Sequence, residues 1–558
     1  PWPTPSGPKS SDAPWVSSQL EAYPPLLNRY LVSAMRTGIY NGLQWLKRKV
    51  NGGSPAANTR FKYAHGFSEK ILWRDPLRGA LQPTDKEAAD ERAIGCLRDP
   101  ALSVSRLTHT SEFGLKLGEE IMEALDAQHS AATTKSWIDA TCDTIGAPKD
   151  SNPAPPRDAI EAVKAILIKH IGEHECLDHA ALTSVDATLM RQWQRAAKDP
   201  DSIAAGWMMV GSPMGLVEQL LDPGIFPEAV VQPYMGHEDL QCDLQHLHNY
   251  KGVEESDITE AEILNHLDKG HLAAFDDLDS LRTFVNGEPI LNKLGLITKT
   301  RNGVTKSRMI VDTKESWVKH ATWKAQRVIL PRLFDAELRL LALMAISFEV
   351  GLPPSVEAFV LDFTDAFWQV PILPSEYRFF CAMATLRGAR KYIAFLRAAQ
   401  GSTNGPTLWA RVIALVARLT QSLFLPSEVR LMCYVDDPLA ALSGTPERRR
   451  LITATIILVW SVLGFQLAFA KGQLDKEVTW IGGTLRCEAW GVLATVKEAI
   501  VADICIDLKR FKELNLITKK ELRSLLGKLS HAAGLLLIIR PFLEPLWAAL
   551  SLIHISEP

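Results

Sequence analysis

The second half of the chain alternates short apolar runs, typical of strands, with patterns typical of helices. Residues 430–442 are two such runs that meet at adjacent acids, and Pro438 is consistent with a tight turn there. Asn302-Gly303 separates two strand-like runs and predicts a two-residue hairpin, because a type I′ turn needs positive φ at both positions. Pro406 suits the first turn of a helix. The residues after it place apolar side chains on one helical face: Trp409, Val412, Ile413, Val416, Leu419 and Leu423.

The other segments read mainly as helices or as polar, irregular chain. Residues 1–25 are rich in Pro and Ser, which predicts disorder. Residues 26–235 are predicted to form a mainly helical region, whose function the sequence does not show. Near the C terminus, Thr518 and Glu521 have the spacing of a capping box, and leucines follow at helical spacing. The clearest helical patterns of the first half are 85–145 and 158–200.

One uncharged stretch has the length of a membrane-spanning helix. Residues 451–470 carry no charge and follow three consecutive arginines. However, five polar or small residues interrupt the stretch: Thr453, Thr455, Ser461, Gly464 and Gln466. We therefore expect no membrane-spanning helix here and no membrane partner.

Charge is distributed unevenly between the two halves of the chain. Residues 285–558 contain 34 Lys and Arg against 24 Asp and Glu, whereas residues 1–284 contain 27 against 40. A basic half suits a partner with a phosphate backbone, because its cations displace condensed counterions. The acidic half argues against nucleic-acid contact along the whole chain. The chain begins at Pro1 rather than Met, so we expect a fragment of a longer protein or polyprotein.

Cysteine and histidine usage indicates neither a disulfide framework nor a zinc site. The eight cysteines are widely scattered, which suits free thiols in a reducing, intracellular compartment. Two groups of histidines and cysteines lack a recognised zinc spacing, so we expect surface or partly buried side chains instead. These groups are His170, His174, Cys176 and His179, and His237, Cys242, His246 and His248.

Acidic residues within the apolar runs are the strongest candidates for chemistry. Asp436 and Asp437 are adjacent between two runs, and Asp362 lies 74 residues earlier in another. Buried carboxylates are retained only where they are paired or bind cations. Three carboxylates that converge from neighbouring strands are what a two-metal phosphoryl-transfer centre requires, because two Mg²⁺ ions with oxygen ligands clamp the attacking and leaving oxygens.

The segments around these acids resemble the motifs of reverse transcriptases, in the same linear order. The tetrad Tyr-Val-Asp-Asp at 434–437 looks like motif C, and residues 360–372 look like motif A. In motif B, Ala399 stands where the family usually has a proline before its Gln-Gly pair, which is Gln400-Gly401 here. The resemblance covers roughly residues 285–550, and its last part is similar to long-terminal-repeat and, more closely, tyrosine-recombinase retrotransposons. The other segments are the fingers hairpin at 294–312, motif B at 399–409, motif D at 464–471, motif E at 478–485 and the thumb at 522–546.

The resemblance implies an α+β fold, a right-hand polymerase preceded by the mainly helical region. The connector and fingers would span 236–358, the palm with its antiparallel sheet 359–495, and the helical thumb 496–558. The expected activity is RNA-directed DNA polymerisation for a retroelement. It transfers deoxynucleoside triphosphates to a primer 3′-hydroxyl on an RNA or DNA template, with two Mg²⁺ ions or Mn²⁺ as a substitute. Two alternatives stay open, a catalytically inactive nucleic-acid-binding relic and an RNA-templated RNA polymerase.

The resemblance also implies roles for individual residues. Asp362, Asp436 and Asp437 would hold the metal ions, and Lys471 would donate a proton to pyrophosphate. Phe367 stands at the steric-gate position, where a bulky ring meets a ribose 2′-hydroxyl, and its alternative role is a core aromatic. The nucleotide-binding residues would be Arg301, Arg308, Asp365, Ala366, Phe367, Gln400 and Gly401, and the primer grip would be Trp480, Ile481 and Gly482. A basic surface is the alternative for the hairpin arginines.

Overall fold

The computed structural model describes residues 112–555 apart from several short segments. These are 173–181, 227–228, 230–234, 241–246, 255, 302–303, 325, 327, 329, 350–354, 515–516 and 537–539. Some predictions therefore lie outside the described residues. They are the disorder at 1–25, the helical pattern before residue 112, the turn at Asn302-Gly303, the side chain of Arg301, and His174, Cys176, His179, Cys242 and His246.

Five helices form the first part of the described chain. They are α1 (Glu112–Ala131), α2 (Trp137–Cys142), α3 (Arg157–Ile171), α4 (Ala187–Ala196) and α5 (Ala204–Val210). Their apolar residues recur at helical spacing and share one core with the second half of the chain. Gly118 of α1 approaches Leu423 so closely that a Cβ would lie 2.0 Å from the Leu423 carbonyl oxygen. The helical region is thus packed directly against the later elements.

A five-stranded sheet contains the predicted hairpin. Its strands are β1 (Leu272–Phe275), β2 (Leu291–Arg301), β3 (Val304–Asp312), β5 (Cys381–Leu386) and β6 (Ala389–Phe395), in the order β1-β6-β5-β2-β3. β2 and β3 pair in antiparallel register as far as Arg301 and Val304, which leaves a two-residue connection. β2 and β5 are parallel. The helices of this region are α6 (Asp257–Asp268), α7 (Leu278–Val285) and α8 (Val318–Ala321).

A four-stranded sheet packs against helices on both of its faces. Its strands are β4 (Val356–Val360), β7 (Val429–Tyr434), β8 (Asp437–Ser443) and β9 (Gln473–Asp475), in the order β7-β8-β4-β9. Successive side chains of a strand point to opposite faces. Phe359 and Leu361 accordingly pack with the large core that includes α10 (Gly405–Gln421) and α11 (Pro446–Val462), whereas Ala358 and Val360 pack with α9 (Leu333–Glu349).

The helices predicted from local patterns are present. α10 has Pro406 in its first turn, as its sequence predicted. α11 covers the first part of the uncharged stretch at 451–470 and buries most of its side chains in the protein core. None of the helices in the described part of the chain is long and apolar enough to span a membrane.

A three-stranded sheet and three helices complete the chain. The strands are β10 (Glu477–Trp480), β11 (Gly483–Glu488) and β12 (Gly491–Val496), and the helices are α12 (Glu498–Leu514), α13 (Lys519–Ala532) and α14 (Arg540–Ile555). The capping box at the start of α13 is confirmed, because the Thr518 hydroxyl and the Glu521 carboxylate each accept the other's backbone N–H. The chain is thus a mixed α+β protein with a helical N-terminal part.

Candidate active site

Backbone hydrogen bonds hold Asp362 beside the turn between β7 and β8. Asp362 lies two residues beyond β4, and its side chain is only 8% exposed. The N–H groups on either side of it donate to that turn and to the start of β8. Leu361 donates to the carbonyl of Pro438 at 3.3 Å, and Phe363 donates to the carbonyl of Asp436 at 2.9 Å. The sheet therefore brings together the three acids that the sequence analysis singled out.

The turn that carries Asp436 and Asp437 is strained and is held from both sides. Val435 has a φ of +56°, a region that a β-branched residue rarely adopts. The buried indole of Trp409 donates its N–H to the carbonyl of Val435 at 2.6 Å. The indole of Trp480 likewise donates to the carbonyl of Asp437 at 3.0 Å. Strain of this kind persists only where the surroundings fix the backbone, and it is common at functional sites.

Burial and the neighbouring negative charges raise the pKa values of Asp436 and Asp437. The pKa of Asp437 is raised to about 7, first by burial and then by the charges of Asp436 and Asp362 and a hydrogen bond with Asp362. The pKa of Asp436 is also raised, first by burial and then by the charge of Asp362. Lys471 and Arg308 act on the pKa of Asp436 in the opposite direction. The cluster therefore attracts cations.

The ammonium group of Lys471 contacts the Asp362 carboxylate. Lys471 ends a short 3₁₀ helix, Phe469–Lys471, and the N–H of Ala468 donates to the carbonyl of Asp362 at 2.8 Å. The Lys471 side chain is 56% exposed, so it has room to leave the carboxylate. The predicted proton donor thus lies beside the acids.

The acid cluster has the donor chemistry of an Mg²⁺ or Mn²⁺ site. Carboxylate oxygens are the ligands that these ions prefer, and bound cations would relieve the repulsion among the three acids. As positioned, however, the described residues contain no group of three or more His, Cys, Asp or Glu side chains that could hold a metal ion. The donor atoms are of the kind that these ions prefer, and one of them, an oxygen of Asp362, contacts Lys471 in this structure.

A short 3₁₀ helix, Ala366–Gln369, carries three of the predicted nucleotide-binding residues at or beside its first turn. Asp365 precedes it with a φ of +51°, and its carboxylate pairs with Lys269 at 2.6 Å. Ala366 is buried, and Phe367 is partly buried against the large core. This partial burial is compatible with both roles considered for Phe367, the steric gate and the core aromatic.

Two histidines are buried behind this 3₁₀ helix, and the sequence analysis did not identify them. The His266 ring stacks on Trp368 with their centroids 3.9 Å apart. Nδ1 of His266 also lies 2.9 Å from Nδ1 of His271, so one ring donates to the other. Burial is the main cause that lowers the pKa of each histidine to about 4. No spacing in the sequence connects residues 266–271 with Trp368, and only the fold brings them together.

The end of β3 contacts the loop of Gln400 and Gly401. The N–H of Val311 donates to the carbonyl of Gln400 at 2.9 Å. Gly401 has a φ of +106°, and a Cβ there would lie 2.0 Å from the carbonyl oxygen of Val311, so this approach requires glycine. Arg308 is exposed on β3, and its charge is close enough to Asp436 to oppose the rise in that carboxyl's pKa. The hairpin and the loop therefore lie near the acid cluster.

The predicted primer grip forms the turn between β10 and β11. Ile481 and Gly482 have φ values of +37° and +82°. The carbonyl of Gly482 accepts from the N–H of Lys497 at 3.2 Å. Trp480 is buried and bonds to the acid turn, so in this structure its side chain supports the acids. Contact of these residues with a primer stays a prediction.

The histidine groups also acquire local explanations where they are described. Nε2 of His170 lies 2.7 Å from the Glu120 carboxylate, and the ring of His237 packs edge-on against Phe379 at 5.5 Å. Both side chains are thus partly buried beside protein neighbours. The rest of both groups, apart from His248, lies outside the described residues.

Comparison with known proteins gives structural neighbours only. No protein-family model and no curated protein matches the chain. Similar solved structures include the foamy viral protease–reverse transcriptase dRH with double-stranded DNA, at 16% identity and a TM-score of 0.38 over 68% of this chain and 55% of that chain. The foamy viral protease–reverse transcriptase with double-stranded DNA is similar at 17% identity and a TM-score of 0.37, over 62% and 57%. Its complex with an RNA/DNA hybrid is similar at 15% identity and a TM-score of 0.36, over 68% and 42%. The chain therefore spans about half the length of the structures that it resembles.

Proposed function

We propose that the chain is a retroelement RNA-directed DNA polymerase. The observation that carries the proposal is the meeting of Asp362, Asp436, Asp437 and Lys471 at one strained turn. Stability alone does not explain three acids buried together, because unpaired buried carboxylates are costly and fewer of them would cost less. The basic second half, which would bind the phosphates of a template and primer, supports the same assignment.

In this proposal the four-stranded sheet is the palm, the five-stranded sheet belongs to the fingers, and the C-terminal helices are the thumb. Asp362, Asp436 and Asp437 would hold two Mg²⁺ ions, or Mn²⁺ in their place. When bound, the ions would stabilise the negative charge on the attacking 3′-oxygen and on the leaving pyrophosphate.

The other residues would bind and orient the reactants. Lys471, once it leaves Asp362, would donate a proton to the leaving pyrophosphate. Arg301 and Arg308 would bind the triphosphate together with the backbone at Asp365 and Ala366, and Phe367 would meet the sugar. Gln400 and Gly401 would lie against the new base pair. Ile481 and Gly482, supported by Trp480, would hold the primer end.

Primer extension by the 558-residue chain tests this function directly. We expect a DNA primer on an RNA template to be extended with deoxynucleotides when Mg²⁺ or Mn²⁺ is present. Asp436→Asn should abolish extension and leave primer–template affinity intact, because it removes a charged ligand without changing the shape of the side chain. Asp475→Asn, an exposed acid on β9 of the same sheet, is the matched control and should extend normally.

The same assay separates the alternatives. A chain that binds primer–template and extends nothing with either ion would be an inactive relic. Incorporation of ribonucleotides in preference to deoxynucleotides would identify an RNA-templated RNA polymerase. Extension at the wild-type rate by Asp436→Asn would remove the acid cluster from the mechanism.

A further inference from the structure

Trp317 exposes its indole from a backbone conformation that tryptophan rarely adopts. The residue is 58% exposed, and its φ and ψ are +62° and −4°. A bulky residue in this left-handed region is strained, and strain of this kind is concentrated at functional sites. The ring gains little from burial in return. The strained conformation and the exposure together make the ring a candidate binding surface.

The backbone around Trp317 is anchored. Its N–H donates to the carbonyl of Lys314 at 3.1 Å, and its own carbonyl accepts from the N–H groups of His320 at 2.8 Å and Ala321 at 3.0 Å. The short helix α8 begins directly after it, and Val318 and Ala321 of this helix are fully buried. The ring is thus presented on a fixed support.

Basic and aromatic side chains flank the Trp317 ring. The His320 ring lies 5.0 Å away at an angle of 46°. Lys314 and Lys319 are exposed on either side, and within the described part of the chain neither forms a salt bridge. Glu315, the acid between them, is held by another lysine. Lys314 and Lys319 therefore place positive charge on both sides of the ring, and Asp312 accepts from the N–H of Lys314 at 2.8 Å.

The support of Trp317 is joined to the candidate nucleotide-binding loop. The hydroxyl of Thr313 donates to the carbonyl of Gly401 at 3.4 Å. The carbonyl of Thr313 accepts from the N–H of Lys319, two residues after Trp317, at 2.8 Å. One residue thus connects the loop at Gly401 with the segment that displays the ring.

We propose, building on the proposed function, that Trp317 stacks on an unpaired base of the template strand beside the insertion site. Aromatic rings flanked by cations are the chemistry of single-strand binding, because every base has a stacking face and lysines neutralise the phosphates. A polymerase meets unpaired template bases only ahead of the primer end. Trp317 therefore distinguishes an overhanging template from a blunt duplex.

Equilibrium binding to two primer–template duplexes tests this inference. One duplex is blunt, and the other has a short template overhang with 2-aminopurine as its first unpaired base. We expect the overhang to increase the affinity of the wild-type chain and the 2-aminopurine emission to fall on binding. Trp317→Ala should bind the overhanging duplex about 5- to 100-fold more weakly than wild type and bind the blunt duplex equally well. Trp317→Phe should keep most of the affinity gain, because it keeps a stacking ring.

Two further variants make the result specific. Trp490→Ala, at the turn between β11 and β12, removes another exposed tryptophan (39%) and should leave the overhang preference unchanged. Trp317→Gly relieves the backbone strain and should weaken overhang binding as Trp317→Ala does, without loss of thermal stability. If Trp317→Ala and Trp317→Gly both bind the overhang as wild type does, the inference is wrong. These measurements need no catalysis, so a chain that shows the Trp317 effect and extends no primer would refute only the proposed function.

Discussion

Arg411 and Asp201 form a bidentate ion pair in which neither side chain is exposed to solvent. Nε and a terminal guanidinium nitrogen of Arg411 lie 2.9 Å and 2.8 Å from the two carboxylate oxygens, and the residues are 210 positions apart. Arg418 forms a second fully buried pair with Asp199. Both arginines belong to α10, and both aspartates lie between α4 and α5. The helix α10, whose Trp409 bonds to the turn of the acids, therefore takes its counter-ions from the N-terminal region.

Loss of one carboxylate from these pairs should be costly. Asp201→Ala leaves Arg411 charged and buried without its partner, so we expect it to lower the free energy of unfolding by about 3–5 kcal/mol. Denaturant unfolding followed by circular dichroism measures this change. Glu123→Ala, which removes an exposed acid from α1, should change the free energy of unfolding by less than about 0.5 kcal/mol. If Asp201→Ala lowers the free energy of unfolding as little as Glu123→Ala does, water or another group replaces the carboxylate.

Removal of the N-terminal region should prevent the rest of the chain from folding. A chain of residues 236–558 lacks Asp199 and Asp201, and it uncovers the apolar faces of α10 and α11 that the N-terminal helices bury. We expect this chain to be insoluble or to unfold without a cooperative transition. A soluble fragment with a cooperative thermal transition would contradict the prediction and would make the N-terminal region a separable domain.

Local patterns predicted the elements well, whereas contacts between elements could not be predicted. The hairpin at 430–442, the helix after Pro406 and the capping box at Thr518 follow from short-range rules, and the structure has all three. The bond from Trp409 to Val435 and the stack of His266 on Trp368 depend on how distant elements pack. The sequence marked Trp409 only as part of an apolar helical face. Periodicity identifies a buried side, but it does not identify the group that a buried indole N–H will meet.

The histidine pair should make the protein less stable in mild acid. His266 and His271 are held neutral mainly by burial, with pKa values of about 4 against about 6.5 when unfolded. Between these values the unfolded chain binds more protons, so stability is full above pH 6.5 and falls as the pH is lowered toward 4. Each histidine contributes at most about 1.4 kcal/mol per pH unit. His266→Phe keeps a ring on Trp368 and should flatten this decline.

Thermal unfolding of wild type and His266→Phe from pH 7 to pH 4.5 measures the difference. Asp365, Lys269 and Arg397 act on the histidine pKa values, and Glu262 lies 4.0 Å from Nε2 of His266; all four residues are present in both proteins. The difference curve therefore reports the contribution of His266 and of its coupling to His271. Parallel curves over this range would show that His266 is not held neutral in the folded chain.

Substitution of Phe367 separates its two possible roles. If the ring is the steric gate, Phe367→Ala should raise the relative use of ribonucleotides by at least about tenfold, because the variant removes a clash rather than an attraction. Single-nucleotide incorporation with paired deoxy- and ribonucleotides measures this selectivity. If the ring is a core aromatic, Phe367→Ala should instead destabilise the fold by up to about 3 kcal/mol and leave selectivity unchanged. Unfolding of the same variant is therefore measured alongside.

Arg308 should act on the nucleotide and hardly at all on the duplex. Its side chain is exposed and close enough to Asp436 to affect that carboxyl's pKa. In the proposed function a triphosphate would lie beside these two residues. Arg308→Ala should lower kcat/KM for nucleotide by about 10- to 100-fold, since hydrogen bonds to charged groups contribute roughly 1.5–3 kcal/mol. Arg390→Ala, an exposed arginine on β6 of the same sheet, is the control and should leave kcat/KM unchanged. If the hairpin is only a basic surface, Arg308→Ala will weaken duplex binding and reduce its salt dependence by about one phosphate contact. An unchanged kcat/KM together with weaker duplex binding would refute the nucleotide role of Arg308.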